Sequence, residues 1–367
     1  MNSPGAILVA VFALAIGPRP AAHPEGPAPP GPIRGMLVGE RRVTPTRLGA
    51  WKGMGAIAVV VRLDESVTRA RWAELAGAVA GQGMALYPWI EVARNPAMAD
   101  AHPSWMATVG RHHNDWRTRF PAAPRPGPGE VIKAWPWVPI GYAPAFEAHR
   151  LRVKALLDGL PGEWAGVFLN DLQAGPSSCG CGNDQCRWAL DYGTTPTAPK
   201  VPGDAAAAQF VAEVRGMHPG KVVVPVWVTE CEPADSPSAG KTTGLCGGVE
   251  CARNDCWPRY ARAWNPLVES TPGPIAVGLW RDAFRRGPDW DMSALATFRN
   301  PPRGGRAIEP GRVVAVLQGR GVSDGPDPRI AAAGRDGGGW VVAHEPVDQS
   351  WEPRLFKADG DRPGALP

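Results

Sequence analysis

Apolar positions along this chain gather into short continuous runs, separated by stretches where they recur at three- and four-residue spacing. Runs of strand length cover residues 33–38, 56–63, 85–92, 166–172, 222–229, 274–280, 313–317 and 340–343. Most are unbroken rather than alternating, as in parallel strands covered on both faces. Residues 66–80, 142–160, 204–217, 258–269 and 292–298 read as helices between them, and over 146–157 the apolar residues fall at helical spacing. Alternating strands and helices define an α/β fold, and eight such strands predict a (β/α)8 TIM barrel. No Gly-x-Gly-x-x-Gly follows the first run, so a dinucleotide-binding sheet has no support. The βα loops 3, 4 and 5 are longer than barrel closure requires, the first of them running over 93–139. On a barrel all three leave from the carboxyl face, where active sites sit.

The ends of the chain have a different texture. Residues 6–17 form an apolar run too short to span a bilayer and of the right length for a signal-peptide core. The expected organisation is a signal peptide over 1–22, a Pro/Gly linker over 23–32, a barrel domain over 33–356 and a C-terminal tail over 357–367. A secreted or periplasmic protein follows, with no membrane contact once the signal is removed. A hydrophobic content of 44% with 20% charged residues suffices for a large core, and the net charge of +4 comes from scattered basic residues. That scatter gives no reason to expect a nucleic-acid partner.

Candidate chemistry falls at the ends of the predicted strands, which read Asp64, Glu91, Asp171, Glu230, Asp282, Gln318 and Glu345. Carboxylates ringing a barrel mouth can supply a general acid together with a base or nucleophile, as glycoside cleavage requires. Taken singly, an acidic residue at a strand end more often caps a helix or pairs with arginine. Asp171 departs from that pattern, because it follows Leu169-Asn170 and precedes loop, with no helix to cap. Of the sixteen tryptophans, Trp105, Trp116, Trp135, Trp137, Trp257 and Trp351 fall in predicted loops near the same face. Such rings suit the flat faces of sugars as well as ordinary packing. His102, His112 and His113 lie in the third loop without the spacing of a zinc site. The chain carries no Gly-x-Ser-x-Gly, Walker loop or His-Glu-x-x-His, which disfavours a serine hydrolase, a nucleotide hydrolase and a zincin.

The seven cysteines divide between two loops. Cys179, Cys181 and Cys186 follow the fourth predicted strand, and Cys231, Cys246, Cys251 and Cys256 follow the fifth. In an exported protein they can form up to three disulfides with one thiol left over. Alternatively, Cys179, Cys181, Cys186 and Cys231 can hold a structural zinc, since cysteines two apart seldom bond to each other but can share an ion. Both readings brace the loops beside Asp171 and Glu230. Neither gives a cofactor for catalysis.

Asn170-Asp171 followed by Cys179-Gly-Cys181, Cys186 and an aromatic segment ending in Tyr192-Gly193 resembles the family 42 β-galactosidases and related barrel glycosidases. In that family an Asn-Glu pair ends the fourth strand and a cysteine knuckle follows. The resemblance implies that Asp171 stands at the acid/base position and that Cys179, Cys181 and Cys186 bind zinc. His102-Pro-Ser-Trp105 together with Gly166–Asn170 and Asp171 is also similar to bacterial glycosidase-like barrels bearing a His-Pro-Glu-Trp loop. The chain departs from the family in three places: Asp replaces Glu at 171, the knuckle is longer, and Gln318 stands where that clan places its nucleophilic Glu.

The sequence thus predicts an exported glycoside-hydrolase-like barrel with a poly- or oligosaccharide partner. Asp171 is expected as nucleophile or base, Glu230 as acid and Asp282 as the next candidate. Asn170, Glu91, Glu345, Trp105, Trp137, Trp257 and Trp351 are expected to bind substrate. The alternatives are a non-catalytic carbohydrate-binding barrel that has lost its acid pair, and a cysteine-stapled extracellular scaffold.

Overall fold

All eight apolar runs become strands of one sheet in the computed structural model, which describes residues 34–107, 127–172, 203–229, 268–269, 271, 273–279, 312–318, 340–344 and 352–357. In chain order, β1 (Arg34–Val38), β2 (Ala58–Arg62) and β3 (Ala85–Glu91) pair in parallel. A further strand, β4 (Glu130–Trp135), stands apart from this sheet. The sheet continues through β5 (Gly166–Asn170), β6 (Val222–Thr229), β7 (Ile275–Leu279), β8 (Val313–Gln318) and β9 (Trp340–His344). Strand β9 pairs in parallel with β1, so the eight strands form a closed barrel.

The helices begin where local chemistry allows. Helix α1 (Pro45–Gly53) has proline in its first turn and Thr44 Oγ1 accepting from the Arg47 N–H at 3.3 Å. Helix α2 (Arg69–Gly81) is capped in the same way by Thr68, and the short α3 (Pro96–Ala101) by Asn95. Each cap satisfies an amide that the helix itself leaves unpaired. Helices α4 (Ala143–Asp158) and α5 (Gly203–Met217) follow the third-loop segment and β5. The helices expected over 258–269 and 292–298 fall almost wholly outside the described residues.

Burial separates the two faces of the sheet. Leu37, Val60, Tyr87, Trp89, Phe168, Val224 and Val226 share one buried cluster. Their alternate neighbours Met36, Val38, Val59, Val61, Ile90, Val167 and Leu169 share another with Trp51 of α1, Trp72 of α2, Val153 of α4 and Phe210 of α5. Since the helices cover the second face, the first is the barrel interior, where side chains rather than a pore fill the space. Trp89 stacks on Phe168 at 5.8 Å and Tyr87 meets it edge-on at 5.7 Å, closing the interior below the β3 and β5 ends.

The third βα connection carries structure that the apolar pattern does not predict. Strand β4 pairs antiparallel with β10 (Glu352–Lys357), so the chain beyond the barrel returns to this loop. Strand β10 thereby crosses the expected boundary between residues 356 and 357. Ala99, Met106, Val138, Tyr142 and Ala145 form a small core under the pair. The buried Lys133 ammonium donates to the Ser104 and Met106 carbonyls at 3.3 and 3.0 Å. Trp135 donates its indole N–H to Asp100 at 2.8 Å, and the Arg354 guanidinium of β10 lies 3.7 Å from the centre of its ring.

Candidate active site

Sheet register brings the first two site residues together. Glu91 ends β3, Asn170 ends β5, and the two are paired neighbours. Each lies two residues beyond an interior aromatic, Trp89 and Phe168, so both side chains point along the interior face toward the mouth. Asn170 Nδ2 donates to Glu91 Oε2 at 2.6 Å, and Trp89 Nε1 donates to Glu91 Oε1 at 2.9 Å. Beyond the strand the chain turns at Asp171, whose φ of 58° is the only positive value at a non-glycine among the described residues. An L-residue in that region is strained, and such strain gathers at functional sites. The turn brings the Asp171 carboxyl against Glu91, to which it is hydrogen-bonded.

Arg94 completes the group. Its Nε donates to Asp171 Oδ2 at 3.2 Å and its Nη2 lies 3.3 Å from Glu91 Oε2. Its backbone is fixed on both sides, by a bridge to Trp137, by Val138 N–H donating to Ala93 at 2.7 Å and by Asn95 N–H donating to Pro136 at 3.1 Å. Ala93 N–H in turn donates to the Asp171 carbonyl at 3.1 Å, so the third loop and the β5 end are one hydrogen-bonded unit. From α4, Arg152 donates to the Glu91 carbonyl at 2.9 Å while pairing with Glu65 at 2.6 Å.

The site drives the two carboxyls apart in acidity. Burial, and then the adjacent Glu91 charge, push Asp171 well above the usual carboxylate range, and Arg94 only partly offsets this. Burial works the same way on Glu91. There the Arg94 charge, the proton donated by Asp171 and the Trp89 and Asn170 donors outweigh it and hold Glu91 below its ordinary value. The pair therefore releases its protons in two separate steps, with Asp171 the side that holds its proton longer. Like charges this close do not ionise together readily, which is how a carboxyl stays acidic at working pH. Glu91 is the more open side, its side chain 20% exposed against 5% for Asp171 and 9% for Arg94.

The other expected site residues distribute unevenly. Trp137 is buried in the wall, its backbone bridged to Arg94, and its ring is not an open platform. Trp105 is half-buried in the third loop, stacked on His102 at 3.8 Å and edge-on to Tyr142 at 5.9 Å. Glu230, Asp282, Glu345, Trp257, Trp351 and the seven cysteines, Cys179, Cys181, Cys186, Cys231, Cys246, Cys251 and Cys256, lie outside the described residues. Among the described residues no cluster of His, Cys, Asp and Glu could hold a metal ion, and no helix is long and apolar enough to cross a membrane. Sequence reasoning missed Arg94 and the Trp89 donor. The spacing Glu91-Val-Ala-Arg94 was visible, but only the turn after β3 directs that arginine back to the strand end.

The fold and this group of residues define an α/β barrel with a closely paired set of carboxyls at its mouth. No known protein family and no curated protein sequence matches the chain. Similar solved structures include an α-L-fucosidase isoenzyme 2 from Paenibacillus thiaminolyticus, at 13% identity and a TM-score of 0.42, covering 83% of this chain and 48% of that one. A family 20 β-N-acetylglucosaminidase is similar at 15% identity and a TM-score of 0.34, covering 78% and 53%. A D-psicose 3-epimerase is similar at 12% identity and a TM-score of 0.34, covering 85% and 84%. These neighbours are glycoside hydrolases and a sugar epimerase.

Proposed function

We propose that this chain is a complete (β/α)8 barrel that binds and cleaves a poly- or oligosaccharide, with Asp171 as the proton donor. The observation that carries the reading is the buried Asp171 carboxyl held by Arg94 Nε at 3.2 Å beside Glu91, where burial and the neighbouring charge raise its affinity for a proton. A carboxyl that keeps its proton at neutral pH can protonate a departing glycosidic oxygen, which revises the role of nucleophile or base expected from sequence. Glu91 cannot be its catalytic counterpart. Paired carboxyls of retaining glycosidases stand about 5–5.5 Å apart and those of inverting ones about 6.5–9.5 Å, whereas these two lie within hydrogen-bonding reach of each other and share the Arg94 guanidinium. The nucleophile or base is assigned to Glu230, with Asp282 and Glu345 next, and the Glu91–Asp171 pair acts as one acid.

Asn170 Oδ1 is buried without a partner among the described groups and is the acceptor left for a sugar hydroxyl. Trp105, with Trp257 and Trp351, would supply ring faces for stacking. The protein is read as exported, its cysteines bracing the loops after β5 and β6 through disulfides or a structural zinc. A second reading is a non-catalytic carbohydrate-binding barrel, favoured by the near-complete burial and ion pairing of Asp171.

A glycan panel assayed with wild type and Asp171→Asn separates the two. Turnover by wild type that falls by about 10²–10⁴-fold in the variant, with binding kept, supports the acid role. Binding without turnover in both proteins selects the binding barrel, and binding to nothing in either protein sinks both readings.

A further inference from the structure

We propose that Arg94 is a positioning residue that makes proton release from the Glu91–Asp171 pair possible, by standing as the one counter-charge shared between both carboxyls among the described residues. The inference rests on the reading of Asp171 as the acid of this barrel, and it adds a residue that neither motif nor strand-end position singles out.

The donor inventory decides where the proton rests. Glu91 accepts from Trp89 Nε1, from Asn170 Nδ2 and from Asp171, and it lies beside Arg94 Nη2. Asp171 has the Arg94 Nε contact alone among the described donors, and it is the more buried of the two. Anion-stabilising hydrogen bonds therefore concentrate on Glu91, and Asp171 takes the neutral form and donates. In that resting state Glu91 and Arg94 carry opposite charges and the group is neutral.

Proton donation changes the balance. The Asp171 O–H bond breaks, the proton passes to the departing oxygen, and Asp171 is left as a carboxylate touching a second carboxylate. Two negative charges at that distance repel strongly in a site this dry. One guanidinium fork reaches both, Nε on Asp171 and Nη2 on Glu91, so its contact with Asp171 strengthens as that charge appears. Arg152 cannot substitute, since it meets only the Glu91 carbonyl and carries its own partner in Glu65. Arg94 is held for this task by its backbone, pinned to Trp137, Pro136 and Val138 of the same loop.

The test follows carboxyl protonation directly by ¹³C NMR of protein labelled at Asp and Glu side chains, in wild type, Arg94→Lys and Arg94→Met. Wild type is expected to show one buried carboxyl still protonated at neutral pH, coupled to a second that ionises in the acid range. Removing the cation in Arg94→Met is expected to move the upper titration further up, by about one unit or more, while Arg94→Lys restores part of the shift. Turnover on a responsive glycan is expected to lose kcat with little change in KM, and its alkaline limb to follow the same shift. Should Arg94→Met fail to fold, Arg94→Lys and wild type still decide the matter. A wild type with both carboxyls ionised at neutral pH overturns the proposal, as does an upper titration unmoved in Arg94→Met. If the titrations behave as expected but no glycan is turned over, the carboxyl unit stands and the hydrolase reading falls.

Discussion

Asp171 combines a left-handed backbone, a buried carboxyl and a raised proton affinity, and each property has its own consequence on substitution. Asparagine occupies that backbone region readily, so Asp171→Asn should keep the fold while abolishing proton donation. Alanine lacks that tolerance, and Asp171→Ala should be less stable than Asp171→Asn by about 1–2 kcal/mol in denaturant titrations. The sign of the pH effect follows from the raised folded pKa. Stability linked to Asp171 is full below the ordinary aspartate value and is lost as pH rises through the raised one. Asp171→Asn should therefore gain on wild type toward alkaline pH, and a stability gap that does not narrow or reverse there would contradict the assignment. His149 behaves oppositely. It is fully buried, bonded through Nε2 to the Val138 carbonyl at 2.7 Å, and burial lowers its pKa to about 4. Its stabilising effect is complete above the unfolded value near 6.5 and is lost as pH falls through about 4, a term on the order of 3 kcal/mol. His149→Gln should flatten the acid limb of a Tm-against-pH curve. At this scale the sequence marked Asp171, Asn170 and Glu91 by their places at strand ends. It did not reveal which carboxyl holds its proton more tightly, because that depends on donors converging from β3, β5 and the third loop.

Elements were legible where their apolar pattern was self-contained. The buried strands read as continuous runs, and α2, α4 and α5 fell within three residues of the expected bounds at each end. Strands β4 and β10 were not legible, since Glu130–Trp135 and Glu352–Lys357 are mixed polar segments whose strand state depends on each other across a long sequence separation. Packing between β5 and β6 makes a sharp demand at Gly166, where an added Cβ would stand 2.2 Å from the Val222 carbonyl oxygen. That contact is with backbone and cannot be relieved by a side-chain rotation. Gly166→Ala should cost about 1–3 kcal/mol or more, read as a lower denaturant midpoint. A near-neutral result would contradict so close an approach of the two strands.

Over the whole molecule, barrel closure and the accessory β4–β10 pair are separate features, and truncation distinguishes them. Among the described elements, ending the chain before Glu352 removes β10 alone, which pairs outside the barrel. A cooperative transition with Tm lowered by a few degrees is expected. Ending it before Trp340 also removes β9, the strand that joins β8 to β1, and leaves two long apolar edges open. Aggregation and loss of a cooperative transition are expected there, by light scattering and calorimetry. The sequence by itself determined the parallel strands and their order, because strand burial on both faces is written locally as unbroken apolar runs. It also placed acidic residues at the strand ends, since chain position relative to a run needs no partner. Only the tertiary structure decided that Glu91 and Asn170 are register neighbours, that Asp171 turns back with positive φ, and that Arg94 reaches both carboxyls. Those facts depend on pairing between segments some eighty residues apart (77 between Arg94 and Asp171), and no local pattern encodes such a distance.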